Sequence, residues 1–139
     1  MPSVFTRIID GDFPGAFVWR DPECVSFLSI NPVQPGHALV VPRAEIDHWI
    51  DLKPPLATHL MTVAQVIGRA QQRAFSPMRI GLLVAGLEVP HSHLHVIPMM
   101  QGEADLHLDR GGTATPEELQ ANAERIRAAL RALGVDGGT

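Results

Sequence analysis

The chain has 139 residues, of which 45% are hydrophobic and 19% charged, and its formal net charge is -4. This length fits one compact domain over residues 1–139, and the acidic balance excludes the basic surface that duplex nucleic acid requires. Its apolar stretches fall far short of the roughly 20 residues that span a bilayer, and Cys24 is the only cysteine, so we expect a cytoplasmic protein with no membrane partner and no intrachain disulfide.

Short strands separated by turn residues occupy the first part of the chain. The patterns predict strands over residues 16–20, 25–30 and 37–41, each bounded by aspartate, asparagine, proline or glycine. The turn at Pro35-Gly36 joins the second strand to the third, which favours a hairpin.

The second half of the chain predicts two main helices and two more strands. Apolar residues recur every three or four positions over residues 54–76, which is typical of an amphipathic helix. Strands follow at 80–87 and 91–97, then a polar loop over 101–113 and a C-terminal helix at about 115–133. That helix opens with a capping box, and we expect a short flexible tail after 134. Together these elements predict an α+β fold, a five-stranded antiparallel sheet with its helices on one face.

Three histidines alternate with other residues at His91, His93 and His95. In an extended strand, side chains two residues apart point to the same face, so the three rings would form one row. Such a row could bind a metal with His37 or Glu88 as a further ligand, or fill a structural position. It could also catalyse a reaction, because imidazole can attack phosphorus and form a covalent phosphoramidate. We favour catalysis, with His93 as the central ring.

The segment at residues 91–98 closely resembles the His-x-His-x-His signature of the histidine triad (HIT) nucleotide hydrolases and transferases, in particular the Hint-like branch. Residues 5–14 are similar to the N-terminal segment of that family, and residues 27–42 to its nucleotide-binding hairpin. Three matches in the same order along the chain are far more specific than the triad alone.

The resemblance implies a subunit that dimerises into one continuous sheet and carries a nucleoside monophosphate on His93. His91 and His95 would orient that ring, with His37 in hydrogen-bonding reach. The nucleotide-binding residues that it implies are Phe5, Ile8, Phe27, Ser29, Ile30 and Glu88.

Three departures from the family pattern bear on substrate and metal. Ser29 stands where many relatives carry aspartate or asparagine, so ribose recognition is expected to differ. Before the triad, Leu87 cannot donate a hydrogen bond, and Glu88 is either a proton carrier or a surface residue. Some relatives bind zinc partly through an N-terminal CxxC, whereas this chain has residues Ser3-Val4-Phe5-Thr6 there, so we expect no metal and no cofactor.

The function predicted from these residues is hydrolysis or nucleotidyl transfer on a purine nucleoside monophosphate derivative. A P–N or P–O–P bond would be cleaved, as in a phosphoramidase or a dinucleoside polyphosphate hydrolase, through a covalent nucleotidyl-histidine intermediate. The partners would be a purine nucleotide or nucleoside phosphoramidate and a second copy of the chain. Two alternatives stay open: a catalytically weak nucleotide-binding or interaction module, and a metalloenzyme with histidine ligands.

Overall fold

The computed structural model describes residues 1–139 as five strands and three α-helices. The strands are β1 (Phe17–Arg20), β2 (Cys24–Leu28), β3 (Ala38–Pro42), β4 (Arg79–Leu83) and β5 (Leu94–Met99). The helices are α1 (Val4–Ile9), α2 (Pro54–Phe75) and α3 (Pro116–Ala132).

The strands form one antiparallel sheet in the order β1-β2-β3-β5-β4. The predicted α+β fold with a five-stranded antiparallel sheet is therefore confirmed. The hairpin of β2 and β3 runs without interruption from the pair Cys24 and Pro42 to the pair Leu28 and Ala38. Residues 29–37 connect the two strands at the closed end of this hairpin, and several of them line the cleft on the α1 face of the sheet.

Every residue of β2 and β3 is buried, because both faces of the sheet are covered. On one face α2 and α3 pack against Val18, Val40 and Val96. On the other face α1 packs through Phe5 and Ile8 in a smaller apolar cluster, which also holds residues Val25, Phe27, Leu39 and Val41. The histidine row lies on this second face, where His95 pairs with Leu39.

The long helix α2 forms where the apolar period predicted it. Its buried stripe includes Leu60, Val63 and Ile67, and proline opens the first turn, where its missing N–H costs nothing. The helix ends because Ser76 adopts a left-handed conformation, with φ of 49°.

Strand β5 begins later than the sequence predicts. It starts at Leu94, so His91 and His93 precede the ladder. The backbone N–H and the hydroxyl of Ser92 both donate to the carbonyl of Ile46, each at 2.7 Å. Residues 91–93 are thus tied to the loop after β3 rather than paired in the sheet.

The ends of the chain both pack on the domain. Helix α1, which the sequence analysis left unassigned, is capped by Ser3. After α3, the carbonyl of Gly137 accepts a hydrogen bond from the backbone of Arg20 at 2.7 Å, so the tail lies along the edge strand β1. No helix of the structure combines the length and the apolar character needed to cross a membrane.

Candidate active site

A cleft with a volume of about 690 Å³ opens on the face of the sheet that carries α1. This is within the size range of small-molecule sites. Nine of the ten residues predicted for the site line it: Phe5, Ile8, Phe27, Ser29, Ile30, His37, Glu88, His93 and His95. The tenth, His91, lies behind the cleft and is fully buried.

His93 presents a ring nitrogen to the cleft as an unprotonated acceptor. Its Nδ1 lies 2.7 Å from the carbonyl oxygen of His91, which can only accept, so Nδ1 carries the hydrogen. In the neutral ring Nε2 then keeps its lone pair. That atom has no hydrogen-bond partner within the protein and is not among the buried unpaired atoms.

His95 has the opposite arrangement of ring hydrogens. The backbone N–H of Val33 donates to Nδ1 of His37, so the hydrogen of neutral His37 is on Nε2. This Nε2 lies 2.9 Å from Nδ1 of His95 and donates to it. His95 must therefore carry its own hydrogen on Nε2, which also lacks a partner within the protein.

His91 is held at both ring nitrogens. Its Nε2 lies 2.7 Å from the carbonyl of Pro42 and donates to it, which leaves Nδ1 as an acceptor. The hydroxyl of Ser3 donates to this Nδ1 at 2.7 Å. The ring has no unpaired nitrogen, so it contributes to the site through its carbonyl.

Burial keeps the four rings neutral at physiological pH. It lowers the pKa of His37 to about 4, helped by the charge that His93 would carry. Burial, with His93 and His37 as neighbours, lowers the pKa of His95 to about 3. Burial also lowers the pKa values of His91 and His93, although the hydrogen bonds to carbonyls oppose it. Each ring therefore carries a single hydrogen at physiological pH, on Nδ1 in His93 and on Nε2 in His37, His91 and His95.

The result is an adjacent pair of complementary groups facing one cleft. The ring centroids of His93 and His95 are 4.8 Å apart. One ring offers a lone pair and the other an N–H, so an electrophile bearing an oxygen anion could contact both.

An apolar wall stands beside these rings. The rings of Phe5 and His93 pack edge to face, with centroids 4.8 Å apart and planes at 85°. Phe5 also packs on Phe27 at 5.5 Å, and Ile8 belongs to the same cluster. Ile30 differs, since it is 65% exposed at the rim. The wall has the flat apolar surface that a purine base requires.

The polar residues predicted for substrate contact lie at the edge of the cleft. The hydroxyl of Ser29 accepts from the backbone N–H of Asn31 at 3.2 Å. Glu88 is exposed, and its charge tends to raise the pKa of His93, against the larger effect of burial. Leu87 is 93% exposed at the mouth of the cleft, where its apolar side chain cannot form a hydrogen bond.

Sequence reasoning missed a wall of the cleft that follows β5. The segment predicted as a loop forms two short 3-10 turns, Glu103–Leu106 and Leu108–Arg110, and residues 106–109 line the cleft. Asp105 anchors the segment, because its buried carboxylate accepts hydrogen bonds from the Gln34 side chain and from two backbone N–H groups. Gly111 follows this segment, and a Cβ added there would clash with the backbone carbonyl of Asn31, so the glycine permits a close approach that the sequence pattern alone does not reveal.

The histidine row is not arranged as a metal site. His91 uses both nitrogens in hydrogen bonds, and His37 and His95 are bonded to each other. A hydroxyl of Ser3 stands at the predicted position of a zinc-binding cysteine, and that hydroxyl is bonded to His91. Hydroxyls are not among the usual ligands of structural zinc, so these residues do not fit that ion. The expectation of no metal stays a prediction.

Comparison with known proteins matches residues 10–102 to the HIT domain. Protein hit of Bacillus subtilis (strain 168) is 35% identical over 100 residues, which cover 68% of this chain and 69% of that protein. The bis(5'-nucleosyl)-tetraphosphatase [asymmetrical] of Schizosaccharomyces pombe is 28% identical over 130 residues, covering 81% and 71%. Adenylylsulfatase HINT3 of Arabidopsis thaliana is 29% identical over 100 residues, covering 68% and 51%.

Solved structures show the same fold over nearly the whole chain. A Hit-like protein from Bartonella henselae, described as involved in cell-cycle regulation, superposes with a TM-score of 0.82 at 28% identity, covering 92% of this chain and 96% of that one. A zinc-bound histidine triad family protein from Mycobacterium smegmatis has a TM-score of 0.80 at 26% identity, covering 94% of each chain.

Proposed function

The chain belongs to the HIT family of nucleotide-binding hydrolases and transferases, and we propose that it cleaves a P–N or P–O–P bond of a purine nucleoside monophosphate derivative. The proposed intermediate is a nucleoside monophosphate bound covalently to His93. The observation that carries the proposal is the unprotonated Nε2 of His93 beside the Nε2–H of His95 in one cleft.

The apolar wall and the histidine rings would contact different parts of the substrate. The base would pack on Phe5, Ile8 and Phe27, which line the cleft next to His93. The α-phosphate would then lie against the two Nε2 atoms. The Nε2–H of His95 would donate to a phosphoryl oxygen or to the leaving atom, and so stabilise the negative charge there.

In the first step Nε2 of His93 attacks the α-phosphorus and the bond from phosphorus to the leaving nitrogen or oxygen breaks. The leaving atom keeps the electron pair: a phosphate departs as an anion, and an amine departs after taking a proton from water in the open cleft. His93 keeps its Nδ1–H and becomes cationic. The carbonyl of His91, 2.7 Å from Nδ1, stabilises that charge.

In the second step a water oxygen attacks the phosphorus and the P–N bond to His93 breaks. The electron pair returns to Nε2, the water loses one proton to solvent, and the nucleoside monophosphate is released. An alcohol or phosphate in place of water would make the reaction a transfer. The ring returns to its neutral starting form in both cases.

His95 is proposed as a hydrogen-bond donor rather than a proton donor. If His95 lost its Nε2 proton, its ring would become an imidazolate anion unless His37 transferred a proton to it. His37 is a poor source of that proton. Its Nδ1 already accepts a hydrogen bond from Val33, so loss of its Nε2 proton would make His37 the anion in place of His95. Leaving groups that depart as anions should therefore react without help from a protein acid.

The test is intact-protein mass spectrometry after a rapid quench without acid, with adenosine phosphoramidate or a dinucleoside tetraphosphate as substrate. Wild type should gain the mass of one adenylyl group transiently, and His93→Ala should not. His48→Ala is the matched control, since His48 is an exposed histidine outside the cleft, and it should form the adduct as wild type does. Turnover by His93→Ala at the wild-type rate would overturn the proposal.

A nucleotide-binding module with weak catalysis is the second candidate. It is favoured by Leu87, which is 93% exposed at the mouth of the cleft, and by the hydroxyl of Ser29, which is occupied with the backbone of Asn31. Calorimetry with AMP and GMP separates the two functions: a binding isotherm from a protein that turns over no donor supports the module.

We also propose a homodimer that extends the sheet through β4. The two edge strands differ: the tail bonds to β1 through Gly137, whereas β4 pairs with β5 alone and exposes Leu82. An open edge with an exposed apolar residue favours pairing with a second chain. Light scattering should give twice the mass of the chain; a monomer at working concentration would contradict this.

A further inference from the structure

Ser3 bridges the start of α1 and the buried triad histidine. It is 7% exposed, and its hydroxyl accepts the backbone N–H of Thr6 at 3.1 Å as the helix cap. The same hydroxyl lies 2.7 Å from Nδ1 of His91. Because Nε2 of His91 donates to Pro42, its Nδ1 can only accept. The hydroxyl hydrogen of Ser3 is directed to this Nδ1 rather than to the other acceptor in reach, Oγ1 of Thr6, because Thr6 lies farther away, at 3.3 Å.

Glu45, in the loop after β3, holds Ser3 in place. One carboxylate oxygen accepts both the backbone N–H of Ser3 and the hydroxyl of Thr6, the latter at 2.7 Å. These bonds leave the hydroxyl hydrogen of Ser3 available for His91. They also lower the pKa of Glu45, so the carboxylate stays ionised through the neutral range.

We propose that Ser3, held by Glu45, is a positioning residue that fixes the ring of His91 through its Nδ1 and so aligns the His91 carbonyl with Nδ1 of His93. The inference rests on the proposed function, since it assigns Ser3 a part in orienting the His93 ring. Ser3 itself touches neither the cleft nor the proposed substrate.

The contact can influence His93 by two routes. The ring and the carbonyl of His91 belong to one residue, so a ring that loses its hold at Nδ1 and turns can shift the acceptor that fixes His93. Ser3 also caps α1, and α1 carries Phe5, whose ring lies 4.8 Å from that of His93. A single hydroxyl therefore couples the apolar wall to the reacting ring.

The test compares Ser3→Ala with a matched loss of a helix cap. Thr115→Ala removes the hydroxyl that caps α3, and Thr115 forms no hydrogen bond with a histidine and is not one of the residues that line the cleft. Both variants should lower the melting temperature. Only Ser3→Ala should lower kcat, by about tenfold, with KM within about twofold of wild type, because indirect orienting contacts act on the reaction more than on binding. Ser3→Thr retains the donor and should restore most of kcat.

A second measurement is independent of turnover. In ¹⁵N NMR spectra of the folded protein, Nδ1 of His91 should be an unprotonated acceptor in wild type, and its signal should change in Ser3→Ala but not in Thr115→Ala. Equal kcat in Ser3→Ala and Thr115→Ala, or a hydrogen on Nδ1 of His91 in wild type, would overturn the inference. If the proposed function fails, no adduct forms on any variant, while the NMR result still decides whether Ser3 donates to Nδ1 of His91.

Discussion

Two clusters that contain histidine lie on opposite faces of the same sheet, and they differ in what they leave unpaired. In the cleft, His93 and His95 are held at Nδ1 and present Nε2 to solvent. On the other face, Asp21, Cys24 and His59 bring their donor atoms within 4.8 Å of one another, a set that could in principle hold a metal.

The carboxylate of Asp21 is already saturated by neighbours. Its oxygens accept from Trp19, from His59 and from the backbone N–H groups of residues 23 and 24. Although burial opposes ionisation, these bonds hold the pKa of Asp21 well below its usual range. Burial and the nearby carboxylates raise the pKa of Cys24, so its thiol stays protonated. Proximity of reactive residue types is therefore a weaker guide to function than an unpaired atom that faces a cleft.

The largest difference between the clusters should appear in turnover. His93→Ala removes the proposed nucleophile and should lower kcat/KM by roughly 10⁶-fold, as loss of a covalent nucleophile does in other enzymes. His59→Ala should leave kcat/KM within about twofold, because His59 lies on the opposite face. Steady-state kinetics with adenosine phosphoramidate measure both, and an equal loss in the two variants would break the comparison.

A smaller loss is expected from His95→Ala, which removes the N–H beside the nucleophile. Loss of one such donor lowers kcat by about 10²- to 10³-fold. Comparing the loss of kcat for substrates with an amine and with a phosphate leaving group shows which substrate atom accepts the hydrogen bond from His95. An equal loss means that His95 contacts a phosphoryl oxygen, and a larger loss with the amine means that it contacts the leaving atom. A kcat of His95→Ala equal to that of wild type would contradict the role of His95 as a hydrogen-bond donor.

Asp21→Ala should act on stability alone. It leaves the N–H groups of Trp19, His59 and two backbone positions without their acceptor, so the free energy of unfolding should fall by about 2–3 kcal/mol. Urea denaturation measures the change. Glu23→Gln is the control, because Glu23 is exposed and 3.8 Å from His59, and it should change stability by less than about 0.5 kcal/mol. A fall in kcat for Asp21→Ala would show that the faces are coupled.

The two clusters should also lose stability in different pH windows. The pKa of His37 falls from an ordinary 6.5 to about 4 on folding, so the unfolded chain binds more protons and stability decreases as pH falls through that range. The pKa of Asp21 is also lowered, from 3.8, so its contribution is lost only below about pH 4.

Each group contributes a slope of up to about 1.4 kcal/mol per pH unit within its window. Urea unfolding between pH 7.5 and 2 measures these slopes. His37→Gln should reduce the slope between pH 6.5 and 4, and Asp21→Asn should leave that window unchanged. The reverse pattern would mean that the two contributions are assigned to the wrong cluster.

Local sequence signals predicted much of the fold. The hairpin of β2 and β3 follows from apolar strands around Pro35-Gly36, and the capping box of Thr115 fixes the start of α3. These features depend on residues close in the chain. The start of β5 depends instead on Ser92 bonding to Ile46, a contact 46 residues away, and the strand pattern could not reveal it.

The site shows the same division. Alternating histidines point to the chemistry of residues 91–95, but the tautomers are set by distant backbone groups, among them the N–H of Val33 and the carbonyl of Pro42. The link from Ser3 to His91 joins residues 88 positions apart. Residues 106–109 line the cleft without any periodic pattern, so the sequence analysis left them as a loop.

The most direct test of the central claim is ¹⁵N NMR of the histidine rings in the free protein at pH 7. The account predicts neutral rings, with the hydrogen on Nδ1 in His93 and on Nε2 in His95, assigned through single substitutions of each. A hydrogen on Nε2 of His93, or a protonated His93 at this pH, would remove the lone pair on which the proposed attack depends and would contradict the account.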